Sequence, residues 1–192
     1  MKHNTLLNNV YKYYAKSNED KNLKDVVRKK RVRQKKSNSE EKDILLSNIK
    51  NIASDYYLVD WTDKNSCCFE FKILLHKEKD ILDDDVSLMN ELGGVRRDLR
   101  IFVSVLEPYY YTFIEETRYL SEKQQWFFAT IECLNEDYYK LISMIDDYFA
   151  KKSYHKINNN SAKMIVSDVE TEFKGLHETR VFNCLFTDTV DL

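Results

Sequence analysis

Apolar positions recur along this chain in two periods, and the changes of period divide it into elements. Leu7, Val10, Tyr11 and Tyr14 stand at i, i+3, i+4 and i+7, the stripe of a short amphipathic helix whose aromatic face needs a partner. From Ser17 to Lys36 apolar residues are few, and Val26, Val27 and Val32 make no continuous stripe, so this stretch reads as an exposed helix or a linker. Ser37 followed by Glu40 fits a capping box, and Ile44, Leu45, Ile49 and Ile52 continue at helical spacing, which predicts a helix over 38–54.

The period then shortens. YYLVDW and CCFEFKILL are rich in aromatic and β-branched residues and are separated by the polar TDKNS, the pattern of a hairpin. After the acidic Asp83, Asp84 and Asp85, VSLMNEL is a short helix closed by Gly93 and Gly94. LRIFVSVLE, YYYTFIEETRYL and WFFATIE predict a three-stranded antiparallel meander over 99–132. Tyr138, Leu141, Ile142, Ile145, Tyr148 and Phe149 line one face of a helix over 136–152. MIVSDVETEF and TRVFNCLFT read as two late strands. The whole predicts an α+β fold, an antiparallel sheet of about 5–7 strands packed by the two longer helices.

Composition narrows the class. At 192 residues and 43% hydrophobic content the chain suffices for one compact domain, and 13% aromatic residues exclude a largely disordered one. No run reaches the ~20 apolar residues needed to cross a bilayer. Asparagines interrupt the first residues where a signal peptide needs an apolar segment, so the expectation is a cytoplasmic protein without a membrane partner. Cys67, Cys68, Cys133 and Cys184 have no C-x-x-C spacing and are expected as reduced, buried thiols rather than zinc ligands.

Charge changes the picture most. Residues 1–36 hold 12 Lys/Arg against 3 Asp/Glu, a balance of +9; the remainder holds 18 against 29, a balance of −11. The division expected is a basic, helical N-terminal extension over 1–36 and a single α+β domain over 37–192. Arg28, Lys29, Lys30, Arg31, Arg33, Lys35 and Lys36 are candidates to contact nucleic-acid phosphates through residues 26–36. No aromatic residues interleave with them to stack bases, so such binding has no sequence preference. The acidic body is a competing partner for the same cations.

Candidate chemistry is sparse. The four histidines form no metal-ligand spacing, three glycines leave little capacity to cradle a phosphate, and no nucleophile motif occurs. Glu70-Phe71-Lys72 is the one constellation with a catalytic reading: a carboxylate and an ammonium on one strand face, after a strand ending near Asp60 and a helix before it. This order over about 35 residues resembles the metal-dependent PD-(D/E)xK nuclease core. The resemblance implies a Mg²⁺-dependent nuclease using Asp60, Glu70 and Lys72. The plainer reading, taken here, places Glu70 and Lys72 on the solvent face of a half-exposed strand, with no catalytic residues, cofactor or metal.

Binding remains. Of 13 tyrosines, Tyr109, Tyr110 and Tyr111 stand in succession beside Glu107, Glu115 and Glu116. Alternation along a strand is expected to turn at least one of these rings outward as an interface anchor, amid carboxylates that suit a basic protein partner. A small acidic body without a catalytic constellation resembles bacterial immunity proteins, which neutralise toxins by direct binding. The function expected is therefore a non-enzymatic, inhibitory protein-binding module.

Overall fold

Five strands follow one another antiparallel in chain order: β1 (Tyr57–Asp60), β2 (Cys68–Leu74), β3 (Val95–Ser104), β4 (Tyr109–Leu120) and β5 (Gln125–Ile131). A two-residue strand, β6 (His155–Lys156), pairs parallel with β4 at Tyr109 and Tyr110. This computed structural model describes residues 3–77, 85–131 and 135–192. Asp83, Asp84 and Cys133 lie outside them.

Among the described residues seven helices surround the sheet: α1 (His3–Tyr11), α2 (Lys21–Ser37), α3 (Ser39–Ile52), α4 (Val86–Glu91), α5 (Glu136–Lys151), α6 (Asn159–Ala162) and α7 (Val181–Leu185). The fold is α+β, with the expected hairpin, meander and two longer helices in place.

Strand register decides what each face carries, because residues paired across strands share a face. On one face lie Phe69, Phe71 and Ile73 of β2, Leu99, Ile101 and Val103 of β3, and Tyr110 and Ile114 of β4. Helices α3 and α5 pack together and cover it with Leu45, Ile49, Leu141, Ile145 and Phe149; Phe149 stacks on Tyr110 with ring centroids 4.4 Å apart.

The opposite face changes character along its strands. Near the β3–β4 turn it is aromatic, with Phe102, Tyr111 and Phe113, and α7 covers it: Phe182 meets Phe102 edge-on at 5.1 Å and Tyr111 at 5.5 Å. Further along, the same face carries Arg96, Asp98, Arg100, Glu70, Lys72, Glu115 and Thr117.

Two local expectations need correction. The late strands are absent as strands: the described segment holds one isolated bridge, Ile165 to Arg180, and VFNCL is helix α7. Every residue from Val181 to Phe186 is buried, the polar Asn183 included, so burial there follows no helical period that the sequence could report. The cap of α3 is Asn38, whose Oδ1 accepts from the Glu40 amide at 3.3 Å, while the Ser37 hydroxyl donates back to Gln34. The basic stretch 21–37 is helical throughout, started by Asp20, whose carboxylate accepts from the Asn22 amide. Lys35 and Lys36 occupy the last turn of α2, where the helix dipole favours cations.

Leu6, Val10, Tyr14 and Val32, all within the 1–36 expected as an extension, belong to the same core cluster as the sheet. No helix among the described residues is long and apolar enough to cross a membrane.

Candidate functional site

The charged half of the second face forms the floor of a groove of about 490 Å³. Trp61, just after β1, stands on one side; Trp126 and Phe128 of β5 stand on the other; Thr187, Thr189 and Val190, following α7, close one end. The two tryptophans of the chain thus both border one concavity.

Arg100 organises the floor. Its Nε and Nη2 donate to Glu70 Oε1 at 3.0 and 2.5 Å, and its Nη1 donates to Glu115 Oε1 at 2.7 Å. Its guanidinium also lies 5.0 Å from the Phe102 ring, at the seam between the aromatic and charged halves. Glu70 and Arg100 are each only 6% exposed, so both charges are largely withdrawn from water. Burial pushes the Glu70 carboxyl above its ordinary range, opposed by Arg100 and Lys72. For Arg100, burial acts to lower the pKa, and Glu70 and Glu115 outweigh it to raise it. The Lys72 ammonium sits 4.3 Å from the Trp61 ring, a cation–π contact that ties rim to floor.

Arg96 and Asp98 complete the set, with Arg96 Nε 3.0 Å from Asp98 Oδ2 and both side chains buried. Burial pushes the Asp98 carboxyl up to about 6, Glu115 adds to the rise, and Arg96 and Lys72 oppose it. A carboxyl whose pKa is higher folded than unfolded holds its proton more tightly in the folded state. As pH rises from about 4 to about 6 the unfolded chain releases this proton first, so Asp98 withdraws up to about 3 kcal/mol of stability across that window. Urea unfolding of the parent and of Asp98→Asn, compared from about pH 4 to about pH 7, is expected to show their stability difference shifting through this window and levelling off above it. A difference constant across the range would contradict the raised pKa.

The residues singled out from the sequence do not assemble into the expected surfaces. Asp60 is on the opposite face from Glu70 and Lys72, because it pairs in register with Phe71, and its Oδ2 accepts from Lys42 at 2.7 Å. The nuclease constellation is therefore not brought together. Glu70 and Lys72 do share a face, but one that is buried rather than washed by solvent. Among the described residues no group of three or more His, Cys, Asp and Glu stands ready to hold a metal ion.

Tyr109, Tyr110 and Tyr111 are each 3% exposed, so none of these rings turns outward. Helices cover both sheet faces at that end, and the hydroxyls are used inside: Tyr109 accepts from Asn9, Tyr110 donates to Asp146, Tyr111 to Asn159. Glu107 accepts from Lys12 and Tyr13 at the β3–β4 turn, Glu115 lines the groove, and Glu116 on the other face accepts from Arg97 and Arg118.

The basic block divides in two. Arg28 lies 4.3 Å over the Tyr14 ring and pairs with Asp25; Lys35 pairs with Glu41; Lys36 donates to the Asp63 carbonyl and the Ser66 hydroxyl. Lys29, Lys30 and Arg33 face solvent, and Arg31 is half-buried. Cys67, Cys68 and Cys184 are buried and unbridged, and burial raises all three thiols so that they stay protonated.

Sequence reasoning missed Trp61, Arg96, Asp98, Arg100, Thr117, Trp126 and Phe128. The available signal was Arg96, Asp98 and Arg100 at every second position of one strand, together with the placement of both tryptophans in strand segments. No protein-family model, curated protein or solved structure matches the chain.

Proposed function

We propose that this chain acts by binding a protein partner, and that the groove between Trp61 and the Trp126–Phe128 edge is the face it uses. The observation that carries the reading is the coincidence of exposed aromatics at a rim, Trp61 at 40% and Phe128 at 63%, with desolvated, mutually paired charges on the floor. Tryptophan and arginine dominate the energetics of protein interfaces because they combine large apolar area with a directional polar group. The floor charges are already held in place by one another, so a partner meets a preorganised polar surface and does not have to order it.

The balance of −11 over residues 37–192 favours a basic partner, since complementary charge speeds encounter and rejects wrong partners. In its most specific form the chain is an inhibitor of the immunity-protein kind, blocking a toxin by direct contact. That form rests on charge balance and analogy.

Co-expression with the products of adjacent genes tests the reading. A stoichiometric complex is expected, and the double variant Trp61→Ala/Trp126→Ala is expected to weaken it by about 100-fold while keeping a cooperative thermal transition. A complex unaffected by the double variant would remove the groove from the interface. Recovery of no protein, together with binding to random duplex DNA that falls steeply with salt, would transfer the function to the exposed cations of 26–36.

A further inference from the structure

We propose that strand β5 is the contact between two copies of this chain, pairing antiparallel with β5 of a second copy across a two-fold axis centred on Phe128. Strand order places β5 at the end of the main run of strands, with β4 on one side and no strand on the other among the described residues. A free edge presents a row of unpaired backbone donors and acceptors, and proteins that remain monomeric blunt such edges with charges, prolines or short strands. The other edge follows that rule: β1 has four residues and ends at Asp60, which is paired with Lys42. Strand β5 has seven residues, Gln-Trp-Phe-Phe-Ala-Thr-Ile, with neither charge nor proline, and it exposes Phe127 at 48% and Phe128 at 63%, one on each face.

The sequence of β5 suits a second copy of itself. A two-fold axis centred on Phe128 sets only Phe128 against its own copy, so a charge there would meet a like charge; this strand carries none. With Phe128 at the centre, Phe127 lies opposite Ala129 and Trp126 opposite Thr130, so large side chains face small ones on both faces. Phe128 meets the partner subunit's Phe128 on the groove side. Each groove is bordered by Trp126 and Phe128, so the second copy adds an aromatic residue to its wall. The site described above is then completed by the dimer.

Equilibrium sedimentation of the purified chain tests this without any other partner. The expected species has twice the mass of the chain, with a dissociation constant on the order of micromolar. Phe128→Lys and Phe128→Glu, at a position exposed on the single chain, are each expected to unfold in one cooperative thermal transition and to sediment as monomers. Because Phe128 lies opposite itself, mixing the two variants places Lys against Glu and is expected to restore a mixed dimer. A parent that stays monomeric at high micromolar concentration, single variants that remain dimeric, or a mixture that remains monomeric would each overturn the pairing. A monomeric parent whose complex with another protein is broken by Phe128→Lys would overturn it too, by assigning the edge to a strand of that protein.

Discussion

Arg100→Met is expected to destabilise the fold by about 3–5 kcal/mol, a fall in Tm of roughly 10 °C for a chain of this length. The loss comes from what the substitution leaves behind. Arg100 holds Glu70 through two donors and Glu115 through a third, and Glu70 is 6% exposed. With the guanidinium removed, Glu70 must keep an uncompensated charge out of water or take up a proton at neutral pH, and either state costs free energy. Removing both partners removes most of that cost. Arg100→Met/Glu70→Leu is therefore expected to recover at least half of the single variant's loss, since apolar residues of similar volume replace buried ion pairs with little penalty. The single variant alone is expected to gain ground on the parent as pH falls and Glu70 protonates. Urea unfolding of the four members of this cycle checks both statements. A loss below about 1 kcal/mol in Arg100→Met would mean that water reaches Glu70 freely and that the groove floor is not desolvated.

The same residues explain what the sequence could and could not reveal. The aromatic and β-branched run from Leu99 identifies most of β3, but the strand begins at Val95, so Arg96 and Asp98 fall outside the predicted strand although they continue its alternation. Alternation reports two faces of different polarity; it does not report whether the polar face meets water. Asp98 is fully buried on a face that reads as solvated, because compensation comes from Arg96 beside it and from charges on neighbouring strands. That compensation depends on register: Arg100 lies opposite Lys72 on one side and Phe113 on the other, which brings Glu70 and Glu115 within reach diagonally. Register across β2, β3 and β4 is a property of the assembled sheet, so the charged floor was not legible from any one segment. The three tyrosines failed for a related reason. Alternation correctly put them on different faces, but α5 and α7 cover both faces there.

Phe182→Ala is expected to cost about 3–5 kcal/mol, comparable to Arg100→Met but through packing alone. Helix α7 has five residues and cannot stand by itself, because a single turn does not repay the ordering of its backbone. It is held by Phe182, which is 1% exposed and touches Phe102, Tyr111 and Phe186 with ring centroids 5.1 to 5.5 Å apart. Truncation leaves a cavity that neighbouring rings in fixed strands cannot fill. Hydrogen exchange is expected to localise the damage: the Phe186 amide, bonded to the Phe182 carbonyl, and the Cys67 amide, bonded to the Phe186 carbonyl, lose protection first. Thr187, Thr189 and Val190 follow α7 directly and close the groove, so Phe182→Ala is also expected to weaken partner binding without touching the partner. Phe128→Ala supplies the contrast: it removes rim area and leaves the unfolding free energy of the monomeric chain within about 0.5 kcal/mol, because that ring is exposed on the single chain. A stable Phe182→Ala variant would make α7 a passenger on the sheet. The division of this face into an aromatic half covered by α7 and a charged half that floors the groove would then need a cause other than the packing of Phe182.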